Sequence, residues 1–159
     1  KKGNSPSCGG DENMSDLKAK KIENGTVIDH IKAGHAPQLL RILGFEKPQD
    51  PVIILVNMDS KTLGKKDIIK IENKELNEEK INMIALISPE ATINIVNGFK
   101  VKKKLKAHIP GVIRGIAKCP NRNCISNFEA TPTFHAQANK QSFRCHYCER
   151  LLGIGELII

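Results

Sequence analysis

Four of the five cysteines stand in two close pairs toward one end of the chain, and thiolate sulfur is a preferred ligand of zinc. Cys119 and Cys124 flank a four-residue loop, and Cys145 and Cys148 flank a two-residue loop. Each loop lets two sulfurs reach one ion, and the segment between the pairs is long enough to bring the second loop back opposite the first. The spacing predicts a single zinc ion held by all four cysteines.

Four protein sulfurs leave no coordination position for water, so the expected zinc is structural rather than catalytic. Disulfide pairing is disfavoured because the chain shows neither a secretory signal segment nor an apolar run long enough to span a bilayer, which indicates a reducing, cytoplasmic setting. Iron in the same four-sulfur site stays open, as does His146 in place of one sulfur. Cys8 lies among small polar residues and is expected to be a free thiol.

The chain is basic, with 25 lysines and arginines against 17 acidic residues and a formal charge of +8 among 159 residues. Such an excess favours an anionic partner, and nucleic acid, a nucleoside triphosphate and an acidic protein surface all fit that description. Because the paired cysteines occupy only the last third of the chain, we expect two domains rather than one.

The segment before the cysteines alternates between strand and helix patterns. Strands are predicted where β-branched and other apolar residues cluster, at 26–31, 51–57 and 67–72. The second of these is expected to be buried, and Gly64-Lys65-Lys66 is expected to form the turn before the third. One helix is predicted at 36–43, where leucines recur at helical spacing.

A second helix is predicted to follow Asn77, whose side chain can cap its first turn, and to end at Ile87 before Pro89. Glu78 and Glu79 favour its positive N-terminal end. Its buried stripe is predicted to be Ile81, Ile84 and Ala85.

Asn97-Gly98 predicts a type I′ turn that joins two antiparallel strands at 91–96 and 99–105. A two-residue turn there pairs Val96 with Phe99 and Asn94 with Val101, so these four side chains share one face. Ile93 and Ile95 then point to the other face and are expected to be core. Lys100 and Lys102 fall on that core face too, unless the strand is an edge strand or a bulge shifts the count.

The element order is β-α-β-β-α-β plus one further strand, which predicts an α+β, ferredoxin-like antiparallel sheet with two helices on one face. A small, β-rich, zinc-ribbon-like domain is expected to follow it. The sheet face that the helices leave uncovered is available for a ligand.

RNA recognition on such a sheet needs aromatic residues on its central strands, and the strands at 26–31 and 67–72 contain none. Phosphate-cradling loops, nucleophile elbows and zinc-protease motifs are absent from the sequence as well. The sequence therefore favours a binding or regulatory protein without catalysis. The alternative is a zinc-ribbon nucleic-acid-binding protein whose phosphate contacts would be Lys100, Lys102, Lys103, Lys104 and Lys106.

Several motifs occur together in one order along the chain: Gly25-Thr26-Val27-Ile28-Asp29-His30-Ile31, Gly64-Lys65-Lys66-Asp67, Lys70-Ile71-Glu72-Asn73, Cys119-Pro-Asn-Arg-Asn-Cys124-Ile125-Ser126 and Cys145-His-Tyr-Cys148. In this order they resemble the regulatory chain of aspartate carbamoyltransferase, from about Leu17 to the end. Residues 1–16 lie outside the resemblance, and their small polar composition predicts a disordered extension. The resemblance implies a nucleotide-effector domain at 17–109 and a zinc domain at 110–159 that docks on catalytic chains.

The family resemblance further implies an allosteric subunit of pyrimidine biosynthesis that binds CTP, ATP and UTP and forms a homodimer through its N-terminal domain. Carried over by motif, the residues of the effector pocket would be Ile22, Val27, Asp29, His30, Lys70, Asn94, Val96, Phe99, Val101 and Lys104. In that pocket the lysines would meet phosphates, Asp29 would accept hydrogen bonds from ribose hydroxyls, and His30 would donate to phosphate. Backbone groups around Ile22 would contact the base.

Overall fold

The computed structural model describes residues 20–45 and 47–157, so the expected 1–16 extension and Cys8 lie outside the described residues. A first unit comprises five strands and two helices. Its elements are β1 (Gly25–Lys32), α1 (Ala36–Ile42), β2 (Val52–Ser60), β3 (Gly64–Glu72), α2 (Glu78–Ile87), β4 (Thr92–Asn97) and β5 (Lys100–Lys106). A second unit follows, and it holds β6 (Val112–Arg114), β7 (Thr133–Ala136), β8 (Ser142–Cys145) and β9 (Leu151–Gly153).

The five strands of the first unit form an antiparallel sheet in the order β2-β3-β1-β4-β5. This is the strand order of a ferredoxin-like sheet with one strand added at an edge, so the predicted fold class is confirmed. The core lies between one sheet face and the two helices, where Ile28, Ile69 and Ile93 pack with Leu39 and Ile84. The opposite sheet face carries no helix of the described chain.

Both helices form for the local reasons that the sequence suggests. Asn77 is the N-cap of α2 and accepts a hydrogen bond from the Lys80 backbone N–H at 2.9 Å, as predicted. The predicted stripe of α2 is buried, and Leu86 beside it is buried as well. The first helix ends where Gly44 adopts a φ of +76°, a conformation that favours glycine.

Two expectations about β2 and β3 are wrong. The second strand is an edge strand rather than a buried one, and Ile54 and Val56 remain 42% and 49% exposed. The segment 64–66 is the beginning of β3 rather than a turn, because β2 and β3 stay paired as far as Ser60 and Gly64. Three residues, 61–63, make the connection instead.

The β4–β5 hairpin exists, but its turn lies one residue later than predicted. Gly98 and Phe99 occupy the turn, both with positive φ, and Asn97 pairs with Lys100. The segment before β1 holds this tip, since the Phe99 N–H donates to the Glu23 carbonyl at 2.9 Å and the Gly98 N–H donates to Asn24 Oδ1 at 3.0 Å. The predicted pairings of Val96 with Phe99 and of Asn94 with Val101 are therefore wrong.

The actual register pairs Val96 with Val101 and Asn94 with Lys104, with an irregularity between Ile95 and Val96 that gives β5 one extra residue. The bulge left open by the sequence is thus present, and β5 is also an edge strand. Ile93 is fully buried as expected, whereas its face-mate Ile95 is only half-buried and lies outside the core cluster.

The second unit is a four-stranded antiparallel sheet in the order β6-β7-β8-β9, which confirms the expected small β-rich domain. Its core is small and contains Ile113, Phe134, Phe143 and Leu152, all essentially buried. Leu86 of α2 belongs to this second core rather than to the first, so the two units pack against each other through α2. Within residues 20–45 and 47–157, no helix is long and apolar enough to cross a membrane.

Candidate metal centre and ligand-binding sheet face

The four paired cysteines converge on one point of the second unit. The Sγ atoms of Cys119 and Cys148 lie 3.7 Å apart, as do those of Cys124 and Cys145, and all four sulfurs lie within 4.8 Å of one another. Zn–S bonds of about 2.3 Å place the sulfurs of a tetrahedral site about 3.8 Å apart. The spacing therefore fits one zinc ion with four protein ligands and no position for water.

The alternatives to a four-sulfur site do not fit this geometry. A disulfide requires sulfurs about 2.0 Å apart, and these cysteines are free thiols. His146 does not take the place of a sulfur, because it lies outside the cluster of possible metal ligands, and its Nδ1 lies 3.1 Å from the Nε2 of His135. The cluster of four cysteines is the complete candidate ligand set in the described residues.

Hydrogen bonds hold both cysteine loops in shape. In the first loop the Asn127 side-chain amide donates to the Cys119 carbonyl at 3.0 Å and to the Asn121 carbonyl at 2.9 Å. In the second loop the Glu149 N–H donates to the Cys145 carbonyl at 3.0 Å, and Glu149 adopts a φ of +58° to close the turn. These hydrogen bonds hold the backbone of both loops in the conformation that brings the four sulfurs together.

Burial acts against ionisation of the sulfurs. It raises the pKa of Cys119 to about 12, and it also raises the pKa of Cys145. Burial pushes the pKa of Cys148 in the same direction, but hydrogen bonds, among them one from the Arg150 backbone N–H, outweigh it and lower the pKa to about 7. A divalent cation supplies the positive charge that four neighbouring thiolates need.

The open face of the first unit's sheet collects several residues that the motifs singled out. Lys70 pairs with Val27, Val27 pairs with Asn94, and Asn94 pairs with Lys104. Directly paired residues of neighbouring strands share a face, so these four form one row across β3, β1, β4 and β5. This ligand row, as we call it, lies opposite the face that packs on the helices.

A second row on the same face runs alongside it, where Gly25 pairs with Val96 and Val96 pairs with Val101. Gly25 has a φ of +134°, and a Cβ there would collide with the carbonyl oxygen of Ile71. Only glycine permits this close approach of β1 to β3. Val96 is buried and Val101 is exposed, while Phe99 lies at the hairpin tip rather than in either row.

Asp29 and His30 sit in an irregular part of β1, between the regular pairings of Ile28 and Ile31 with β3. Asp29 accepts a hydrogen bond from Lys66 Nζ at 2.8 Å and one from the His30 N–H at 2.6 Å. Burial raises the pKa of the Asp29 carboxyl, but Lys66 and the His30 N–H outweigh it, so the pKa lies below its usual value. Asp29 is therefore an anion held beside the ligand row.

His30 has a φ of +56°, and its Nδ1 is buried without a hydrogen-bond partner in the described part of the chain. That atom lies 3.7 Å from Asp29 Oδ2. The ring also lines a cavity between the two units, together with Leu157 of the second unit. The structure thus places His30 at the border between the ligand row and this cavity.

The segment before β1 lies against the row. Ile22 is buried, and the carbonyl of Lys20 accepts a hydrogen bond from Lys70 Nζ at 2.6 Å. Burial lowers the pKa of Lys70, and the charge of Asp29 partly offsets this effect. Sequence reasoning missed Lys66, because the segment 64–66 was expected to be a turn and not part of a strand.

Comparison with known proteins shows one family along nearly the whole chain. Residues 17–108 match the family model "Aspartate carbamoyltransferase regulatory chain, allosteric domain", and residues 111–157 match "Aspartate carbamoyltransferase regulatory chain, metal binding domain". The two matches divide the chain between the first unit and the second unit.

Individual relatives, each named aspartate carbamoyltransferase regulatory chain, agree with this. The chain is similar to that of Thermococcus kodakarensis, with 48% identity over 89% of this chain and 95% of the relative. It is 46% identical to that of Pyrococcus horikoshii, over 91% of this chain and 98% of the relative. It is also 46% identical to that of Sulfolobus acidocaldarius, over 92% of both chains. These matches do not favour the alternative of a zinc-ribbon nucleic-acid-binding protein.

We expect the apparent zinc affinity to fall as the pH is lowered. Burial keeps Cys119 protonated at neutral pH, so zinc must displace its proton, and Cys148 gains a proton as the pH drops below about 7. Competition with a chromophoric chelator should show a loss of at least about tenfold per pH unit between about pH 8 and pH 6. An affinity that is constant over this range would contradict a site made of thiols.

Proposed function

Because the chain belongs to the family of aspartate carbamoyltransferase regulatory chains, we propose that its ligand row binds nucleotide effectors and that its second unit docks on catalytic chains. It is a regulatory chain and not an enzyme, and its four cysteines bind one structural zinc ion. The effectors we propose are CTP, ATP and UTP, acting in the cytoplasm to control pyrimidine synthesis. The domains we propose are residues 17–109 and 110–159.

The observation that carries the effector proposal is the ligand row itself. By strand spacing of about 4.8 Å, the backbones of Lys70 and Lys104 lie about 14 Å apart, with Val27 and Asn94 between them. Two lysines suit the phosphates of a nucleotide, Asn94 can exchange hydrogen bonds with its base or sugar, and Val27 offers an apolar surface. Asp29, held as an anion next to this row, suits ribose hydroxyls.

The packing of the two units connects the ligand row with the unit that we propose docks on a catalytic partner. Leu86 of α2 is buried in the core of the second unit, and α2 also packs on the sheet that carries the row. An effector acts on the assembly only if it binds one quaternary state more tightly than the other. If α2 shifts when the effector binds, the shift changes the packing of Leu86 in the core of the zinc-binding unit.

Exposed apolar side chains beside the metal support docking. Ile125 and Phe128 follow Cys124, and Phe128 is 75% exposed. The loop that carries them is tied to the first pair of metal ligands by Asn127. A large exposed aromatic residue on a loop held by hydrogen bonds is typical of an interface residue.

The edge strand β2 supports a homodimer through the first unit. Its outer edge pairs with no other strand of the described chain, and it is long and carries the exposed Ile54 and Val56. Such an edge is suited to pair with a second copy of itself.

Binding of CTP to the zinc-loaded chain tests the effector proposal. We expect Lys104→Ala to weaken CTP binding at least about tenfold, since it removes one charged contact to phosphate. Lys100→Ala is the matched control, because Lys100 lies on the same strand opposite Asn97 and outside the row. Calorimetric titration of the three proteins measures the effect. Equal losses in both variants, or no saturable binding by the unaltered chain, would count against the ligand row.

Sedimentation of the isolated zinc-loaded chain tests the dimer. We expect a species of twice the chain mass of 17.6 kDa at micromolar concentration, and Val56→Lys should shift it toward the single chain by placing a charge at the β2 edge. Lys47→Glu, an exposed change outside the strands, serves as the control. A monomer under these conditions would refute the β2 interface.

A further inference from the structure

A cavity that borders both units has a volume of about 640 Å³ and lies where α2 meets the last turn of the second unit. This is within the roughly 300–1,000 Å³ typical of small-molecule pockets. The first unit contributes Leu63 and Pro89 to its wall, and the second unit contributes Ile154, Gly155 and Leu157. The cavity exists only because the two units pack together.

The polar groups around the cavity are mostly basic. Lys32 and Lys65 line it, against one carboxylate, that of Glu90. Lys65 is already paired with Asp59 at 2.7 Å, which leaves Lys32 as the main contributor of positive charge. His35, also in the wall, must donate from Nδ1 to the Ala33 carbonyl at 3.1 Å, so its Nε2 is an acceptor when the ring is neutral and a donor when it is protonated.

We propose that this junction cavity is a second ligand site, which binds a small organic anion with an apolar or aromatic body. Leucine and isoleucine side chains from both units supply the apolar wall, Lys32 suits an anionic head, and His35 suits it when its ring is protonated. The proposal does not rest on nucleotide binding, because its ligand would contact the second unit and the ligand row does not.

A ligand in the cavity would contact both units at once. It would therefore stabilise their present packing, and any rearrangement at α2 would change its affinity. His30 lines the cavity and lies 3.7 Å from Asp29, which stands beside the ligand row. Nucleotide and junction ligand are thus expected to bind together rather than to exclude each other.

Gly155 offers a direct way to fill the cavity. A Cβ built there meets no atom within 4 Å, and its backbone lies outside the positive-φ region, so a larger side chain is accommodated without strain. Gly155→Phe should occupy the space of the ligand. Gly111→Phe is the matched control, since Gly111 is equally open and does not line the cavity.

The experiment is a fluorescence titration of the zinc-loaded full chain with the aromatic anion anilinonaphthalene sulfonate and with its neutral analogue N-phenylnaphthylamine. We expect one anion bound per chain, an affinity at least about tenfold weaker in Gly155→Phe, and no change in Gly111→Phe or in the presence of saturating CTP. Lys32→Gln should weaken binding of the anion at least about threefold while leaving the affinity for the neutral analogue unchanged. Lys47→Gln should change neither affinity.

Each alternative result would overturn the proposal. Anion binding that survives Gly155→Phe in a variant with normal zinc content and circular dichroism would place the probe elsewhere. Displacement of the anion by CTP, one for one, would assign it to the ligand row. If Lys32→Gln weakened the binding of both probes equally, the site would have no preference for an anion. If neither probe bound saturably, there would be no site.

Discussion

The second unit depends on the electrostatic balance at its four sulfurs. Burial disfavours ionisation of Cys119 and Cys145, whose pKa values lie above the ordinary value, and a divalent cation makes the thiolate form stable. Few large apolar side chains fill the core around them, chiefly Ile113, Phe134, Phe143 and Leu152, which is little for an independent domain. The segment after the first cysteine pair carries the exposed Phe128, so the proposed docking surface lies next to two of the metal ligands.

The first unit depends instead on the order in which its strands pair. Lys70, Val27, Asn94 and Lys104 are far apart along the chain, yet the order β3-β1-β4-β5 sets them side by side on the face that the helices leave open. The helices bury the other face, and α2 continues into the core of the second unit through Leu86. The open sheet face, a helix layer and the unit with the candidate metal centre therefore follow one another in space.

Local signals in the sequence predicted the parts of this arrangement that depend on local chemistry. Cysteine spacing predicted the metal centre, and Asn77 predicted the start of α2, because ligand reach and helix capping involve neighbouring residues. The predicted hairpin register was wrong because the actual register depends on contacts with a distant segment, namely the hydrogen bonds from the turn to Glu23 and Asn24. The prediction that β2 is buried was wrong for a similar reason, since an apolar run does not reveal whether its strand lies at a sheet edge. The position of His30 at the junction cavity depends on how the two units pack, which no local pattern contains.

We propose that zinc holds the docking surface together while the sheet binds effectors, so removal of the metal should separate the two. The assembly of this chain with its catalytic partner would be treated with a thiol-reactive mercurial and a chelator, then resolved by sedimentation, and the released chain would be titrated with CTP. We predict that the metal-free chain leaves the catalytic chains and still binds CTP, because the first unit has its own core. An intact assembly without zinc, or a released chain whose sheet has unfolded, would contradict this account.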